Sequence, residues 1–192
     1  MQTSALPLGY VAPDFEVDST VGVVQVRIAV RLRNHVLTQE FRDAMARLPA
    51  SVVVVSARLD GRFRGLTASS LVSISVEPPL VLVGLERETM TRAAVLESKA
   101  FNVSVLTRSQ EFIADRFAGR APAADPGWSD VPHSMGSNGV PIIEGCSAWL
   151  ECKLVQVHAA GDHDICVGEV EAAGKGAGDP LILWDRSFWT LR

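Results

Sequence analysis

Two carboxylates and a histidine, Asp162, His163 and Asp164, immediately precede the apolar run at 165–170. A hairpin turn at this point needs only a glycine and one polar residue, and Gly161 already supplies the glycine. A histidine at the rim of a sheet can titrate near neutral pH, donate a hydrogen bond or stack on a ring, and a neighbouring carboxylate can orient it. A solvated loop in which Asp162 forms an Asx-turn is the alternative, and the residues alone leave the two interpretations level.

A second stretch, GLTASSLVSISV at 65–76, is rich in hydroxyl groups. If it forms one strand, its period of two puts Thr67, Ser69, Ser73 and Ser75 on one face. Hydroxyls donate or accept hydrogen bonds, so such a row beside strand amides can bind a planar heteroaromatic ring with carbonyl and imino edges. A merely hydrated sheet face is the alternative, and this stretch alone favours it.

A third segment, LERETMTR at 85–92, leads from an apolar run into a predicted helix that Thr89 or Thr91 can cap. A helix N-terminus with free amide groups and nearby arginines is a natural phosphate seat. A cap without a ligand is the more common outcome for a single threonine. The closeness of this segment to the hydroxyl-rich stretch favours the functional interpretation.

The elements that must position these groups are short. Thr38 is a good helix N-cap, and Phe41, Ala44, Met45 and Leu48 form one packing face before Pro49 ends the helix. Residues 1–37 are predicted to be an extension that includes a strand at 21–32, and residues 38–192 to be the main domain. Further strands are expected at 52–55, 67–76, 80–85, 101–106, 149–157, 165–170 and 181–191, and helices at 92–99 and 110–117.

The spacing of these strands predicts the fold class. A turn is expected at Asp60-Gly61 and a long surface loop at 118–145. Most strands are too close together for helical crossovers, which favours a mainly β, nearly closed antiparallel barrel with flanking helices.

Composition excludes several classes of function. The formal net charge of −4 argues against a nucleic-acid surface. Cys146, Cys152 and Cys166 fit neither a disulfide framework nor a CxxC pair, so reduced core thiols in a reducing compartment are expected. The chain shows no signal peptide, no spanning segment and no metal-binding spacing of its histidines, which predicts a soluble cytoplasmic protein without a metal.

Taken in order, these segments resemble the flavin reductase-like family, the reductase components of two-component flavin monooxygenases. The resemblance covers residues 38–192, and the segments that carry it are FRDAMARLP at 41–49, GLTASS at 65–70, Ser73, SVEPPL at 75–80, GDH at 161–163 and VGEV at 167–170. It implies an FMN-binding split β-barrel that forms a homodimer. It also implies reduction of FMN or FAD by NADH or NADPH, after which reduced flavin diffuses to a partner monooxygenase.

The resemblance assigns roles to residues of this chain. His163 and Asp162 are expected at the nicotinamide, as positioning groups, because hydride passes directly between the two rings. The expected flavin-binding and cofactor-binding residues are Gly65, Leu66, Thr67, Ala68, Ser69, Ser70 and Ser73 at the ring, Thr89 and Thr91 at the phosphate, and Phe117, Gly161 and His163.

Two departures from the family pattern and two rival functions remain. Family members often carry a longer basic segment before an Asp-Lys-Phe-like element, whereas here DRFAG at 115–119 is followed at once by RAPAAD at 120–125. Trp184 and Phe188 stand where tyrosines are common. A flavin-bound electron-transfer protein without nicotinamide chemistry is one rival, and a barrel that serves only as an assembly subunit is the other. The choices between FMN and FAD and between NADH and NADPH stay open, as do the partner oxygenase and the role of residues 1–37.

Overall fold

A computed structural model describes residues 37–119 and 127–191. The predicted strand at 21–32 and the segment 120–125 lie outside the described residues. The chain divides into two units, Met1–Ala44 and Met45–Arg192. Within the described residues no helix is long and apolar enough to cross a membrane.

The helix predicted after Thr38 is present over residues 37–46 (α1). Its apolar side chains were expected to pack, but Phe41 is 62% exposed and Met45 is 43% exposed. Leu48, just beyond the helix, is 59% exposed. The prediction of an ordinary packing helix is therefore wrong, because these apolar side chains are exposed.

The second unit is mostly β-structure. Its strands are β1 (Ala50–Ser51), β2 (Val53–Leu59), β3 (Arg62–Ala68), β4 (Val72–Val76), β5 (Pro79–Glu86), β6 (Ala100–Val105), β7 (His133–Met135), β8 (Pro141–Ile143), β9 (Ala148–Ala160), β10 (His163–Lys175), β11 (Leu181–Trp184) and β12 (Ser187–Thr190). Its helices are α2 (Met90–Ser98) and α3 (Glu111–Phe117), the latter preceded by a 3₁₀ turn at Arg108–Gln110.

Seven strands form the main sheet in the order β3-β2-β6-β9-β10-β5-β4. Every neighbouring pair is antiparallel. The two edge strands, β3 and β4, follow each other in the chain with only Ser69, Ser70 and Leu71 between them. The sheet must therefore curve until its edges meet, which agrees with the predicted barrel.

The run of valines at 52–55, which leads into β2, packs into two hydrophobic clusters. Val53 and Val55 belong to one core cluster, with Val83, Phe101 and Cys166, whereas Val52 and Val54 belong to a second cluster, with Phe117 and Trp128. Successive side chains of a strand point to opposite faces, so β2 is buried on both sides. All three cysteines are free and buried. Burial raises the pKa of Cys152 to about 12 and that of Cys166 to about 11.

Three element predictions need correction. The stretch 67–76 is not one strand, because β3 ends at Ala68 and β4 begins at Val72. The predicted loop at 118–145 contains the β7-β8 hairpin. The C-terminal run 181–191 is a hairpin whose turn residues, Asp185 and Arg186, have φ angles of 50° and 63°, as a type I′ turn requires.

Candidate functional site

The break between β3 and β4 lies against the end of β5 and the start of β10. A cavity of about 240 Å³, here called the His163 cavity, opens at this point. It is lined by Leu66, Thr67, Ala68, Ser69, Ser70, Gly84, Glu86 and His163. The structure thus brings the hydroxyl-rich stretch and the predicted histidine together, although almost one hundred residues separate them in the chain.

The hydroxyls in this cavity are not equivalent. Thr67 donates through Oγ1 to the carbonyl of Ala114 at 2.7 Å. Ser70 Oγ accepts from the amide of Gly84 at 3.0 Å and donates to its carbonyl at 3.2 Å, which ties the turn after β3 to β5. Ser69 is exposed, and its hydroxyl has no hydrogen-bond partner among the described residues. Of these three groups, Ser69 is therefore the one available to a ligand.

Ser73 was predicted to lie on the same hydroxyl face, and the structure does not place it there. It lies on β4 opposite Val81 of β5, beyond the three-residue break, and lines neither cavity described in this section. The period-two argument fails because it needs one continuous strand from 67 to 76.

A second cavity of about 350 Å³, the Thr89 cavity, adjoins the first at Leu66. Its lining residues are Phe63, Arg64, Gly65, Leu66, Thr89, Met90, Thr91 and Gly127. Thr89 is the N-cap of α2, because its side chain accepts from the amide of Arg92 at 3.3 Å and donates to the carbonyl of Glu86 at 2.8 Å. The first turn of α2 thus lines a cavity that adjoins the His163 cavity.

Phe117 was predicted to bind the cofactor, and the structure gives it another place. Its ring is 4% exposed and packs at a centroid distance of 4.9 Å from Trp128, beneath β3. A Cβ built on Gly65 would lie 2.5 Å from the Phe117 ring. Gly65 therefore has no side chain because the ring occupies that space, and Phe117 supports the strand from behind.

The Gly161-Asp162 pair forms a two-residue turn between β9 and β10, with Gly161 at a φ of 63°. Asp162 Oδ1 lies 2.7 Å from Nδ1 of the His163 ring and accepts a hydrogen bond from it. This hydrogen bond to His163 lowers the pKa of the Asp162 carboxyl. Gly161 shapes the turn and lines neither cavity.

Asp164 faces away from His163 and has a separate role. Its side chain is 5% exposed and accepts from Arg92 at 2.6 and 2.9 Å and from Arg87 at 2.9 Å. The hydrogen bonds from Arg92 and then Arg87 lower the pKa of this carboxyl. The arginines predicted to assist a phosphate seat are thus held by Asp164, which joins the start of β10 to the start of α2.

Sequence reasoning missed three residues of the site. Gly84 and Glu86 enter it through β5, and Glu86 is the direct cross-strand partner of His163. Arg64 enters through the first half of β3, which was not predicted as a strand. The alternation from Arg62 through Leu66 was the signal that could have found it. Among the described residues no cluster of three or more His, Cys, Asp or Glu could hold a metal ion.

Comparison with known sequences gives consistent matches. A family model described as the flavin reductase like domain matches residues 45–192. The FMN reductase (NADH) SmoA of Agrobacterium fabrum is 35% identical over 151 residues, which cover 79% of this chain and 84% of the relative. An NADH:riboflavin 5'-phosphate oxidoreductase of Streptomyces pristinaespiralis is 39% identical over 164 residues, covering 79% and 87%. The reductase component of 4-hydroxyphenylacetate 3-monooxygenase from Thermus thermophilus is 32% identical, covering 81% and 97%.

Solved structures agree on the fold. The flavin reductase PheA2 in its native state has a TM-score of 0.75 at 29% identity, covering 80% of this chain and 97% of PheA2. The NADH:FAD oxidoreductase SgcE6 of Streptomyces globisporus, in complex with NAD and FAD fragments, has a TM-score of 0.74 at 30% identity, covering 81% and 93%. The predicted split-barrel fold is confirmed by these likenesses.

Proposed function

Because this chain belongs to the flavin reductase-like family, we propose that it is an NAD(P)H:flavin oxidoreductase. It transfers a hydride from NADH or NADPH to FMN or FAD and releases the reduced flavin to a partner monooxygenase. The observation that carries the proposal is that the two cavities adjoin at Leu66, which brings the end of β3, the N-terminus of α2 and His163 close together.

The residues present fit a flavin. β3 is an edge strand, so one side of its backbone has no partner strand in the described sheet and can hydrogen-bond the polar edge of a ring. The Ser69 hydroxyl adds a group that donates or accepts. The first turn of α2, with Thr89 and Thr91, supplies amide groups and a positive dipole end for a phosphate.

The protein supplies binding and orientation, since the hydride passes directly between nicotinamide and flavin rings. His163 lies at the rim of the cavity, where it contributes a ring edge to the nicotinamide side. Asp162 fixes the orientation of that ring through the 2.7 Å hydrogen bond to Nδ1. In this arrangement His163 is a positioning residue, and neither it nor Asp162 is required to transfer a proton.

The activity is tested by the absorbance of NADH or NADPH over time, with FMN, FAD or no added flavin. Oxidation only with added flavin is expected, and the rates name the preferred pair. A stoichiometric yellow protein without NADH oxidation would favour the electron-transfer rival. Absence of both oxidation and flavin binding would favour an assembly subunit.

The role of His163 is tested by H163A, with H158A as the matched control. His158 is also exposed, and its ring contacts Gln156 on the same strand, outside both cavities. H163A is expected to raise the KM for NAD(P)H severalfold more than the dissociation constant of the flavin, and H158A to leave both unchanged. Equal losses for both substrates in H163A would show that the loop is structural.

A homodimer in the cytoplasm is part of the proposal. Val72, Ile74 and Val76 on the edge strand β4 are 50%, 45% and 89% exposed. Val155 and Val157 on β9 are each 40% exposed. A second copy of the chain would cover these apolar side chains. The cytoplasm is proposed because the free, buried thiols are typical of a reducing compartment.

The proposed dimer can be tested directly. The mass of the wild type and of V76D in solution tests the assembly: a dimer that V76D converts to monomer is expected, and a monomeric wild type would contradict it.

A further inference from the structure

Arg64 lies in the Thr89 cavity with a buried donor that has no partner. The residue sits on β3 opposite Ala57, between Phe63 and Gly65. Its Nε is buried without a hydrogen-bond partner. A buried donor is destabilising unless something accepts from it, and such exceptions in a folded protein call for an explanation.

The neighbouring arginines do not share this property. Arg87 and Arg92 both bind Asp164. Arg116 also has a buried Nε without a partner, as does the Trp128 indole nitrogen. However, both of those residues lie beneath β3 and line neither cavity, and the Arg116 guanidinium faces Asp130 at 3.7 Å. Among the arginines that the structure describes, Arg64 thus combines a donor without a partner with a place in the cavity wall.

The lining of the Thr89 cavity favours an anion. Arg64 is joined there by Thr89, Met90 and Thr91 of the α2 N-terminus, and none of the described residues that line the cavity is a carboxylate. Glu86 lines the adjoining His163 cavity and not this one. A guanidinium beside a helix N-terminus matches the geometry and charge of a phosphate group.

We propose that Arg64 binds the phosphate of the flavin and selects phosphorylated flavins over riboflavin. This inference rests on the proposed function and adds a specificity-determining residue to it. Arg64 donates from its guanidinium to the phosphate oxygens while the first turn of α2 donates backbone amides to the same group. Riboflavin lacks the phosphate, so it gains nothing from Arg64.

The test measures dissociation constants by quenching of flavin fluorescence for wild type, R64Q, R64K and R62Q. Arg62 is the matched control because it lies two residues away on the same strand, is exposed and lines neither cavity. R64Q is expected to weaken FMN binding about tenfold or more, with riboflavin changed less than about twofold. R64K should recover part of the FMN affinity, since it keeps the charge but not the planar fork. R62Q should match wild type for both flavins.

Each other outcome overturns a distinct statement. If wild type binds neither FMN nor riboflavin, the proposed function fails and the role of Arg64 fails with it. If wild type binds FMN and R64Q binds it equally well, flavin binding stands and the role of Arg64 is refuted. If R64Q and R64K weaken FMN and riboflavin equally, Arg64 supports the strand and does not read the phosphate.

Discussion

Replacement of Gly65 by alanine tests whether Phe117 supports the site from behind or contacts the flavin. The added Cβ would lie 2.5 and 2.6 Å from two ring carbons of Phe117 and 3.1 Å from Trp128. Carbon atoms pack at about 3.5–4.0 Å, so the Phe117 ring must retreat by about 1 Å. That ring is 4% exposed and Trp128 is 6% exposed, which leaves little room for the movement.

Overpacking of this kind costs about 1–3 kcal/mol in free energy of unfolding. For a chain of this length, each kcal/mol lowers the Tm by about 2–4 °C. G65A should therefore lower the Tm by about 2–12 °C, measured by circular dichroism. G84A is the matched control, because a Cβ there meets its nearest atoms at 3.4–3.8 Å, which are ordinary contacts.

The second half of the test is a double-mutant cycle with F117L, which shortens the side chain that the new methyl group meets. G65A/F117L should be more stable than the sum of the two single changes predicts, by about 1 kcal/mol. F117L alone should lower the Tm while leaving the FMN dissociation constant within about twofold of wild type. Additive effects, or an F117L protein that loses FMN affinity at unchanged Tm, would refute the packing argument.

The remaining predictions concern the elements around the cavities. D164N should lower the Tm at neutral pH, with D162N as an exposed control. Because the pKa of Asp164 is lowered in the folded protein, its stabilisation is present above the ordinary aspartate pKa and is lost as pH falls through the lowered value. The Tm difference between wild type and D164N should therefore shrink in acid, and a constant difference would contradict the ion-pair argument. T89A should destabilise the protein by about 1 kcal/mol through loss of the α2 cap, and T89S should restore it; equal Tm values for both variants would contradict that role.

The sequence was most informative where local chemistry decides the structure. Some residue types strongly favour one local conformation, and these gave correct predictions. They are the helix cap at Thr89, the turn at Asp60-Gly61 and the hairpin turn at Gly161. The strands β9 and β10 were predicted in place but too short, because their exposed ends carry polar and small residues that pattern analysis assigns to loops. Element boundaries of this kind depend on pairing partners, which a single segment does not reveal.

The errors in predicting the site residues have one common cause: each side chain's role depends on partners that are distant in the sequence. Ser69 and Ser70 carry the same side chain in adjacent positions, but Ser70 is bound to Gly84 and Ser69 is exposed. Asp162 and Asp164 flank His163 symmetrically in sequence, but one orients the histidine and the other binds Arg87 and Arg92. Ser69 and Ser70 lie in the break between β3 and β4, and Asp162 lies in the turn before β10. The alternation of side chains along a strand therefore does not decide which partners these residues meet.

The topology also explains why the site lies where it does. The ladder between β4 and β5 ends at the pair Val72 and Leu82, while β3 ends at Ala68. Residues 83–86 of β5 therefore have no β4 residue paired with them. This unpaired end of β5 lies where residues 69–71 connect β3 to β4, the two edge strands of the sheet. Ser70 bridges this gap at Gly84, and α2 begins four residues after β5 ends. The gap between the two sheet edges therefore brings together backbone groups of β5, the N-terminus of α2 and the start of β10. The course of the backbone thus determines where the site lies, and the side chains determine its chemistry.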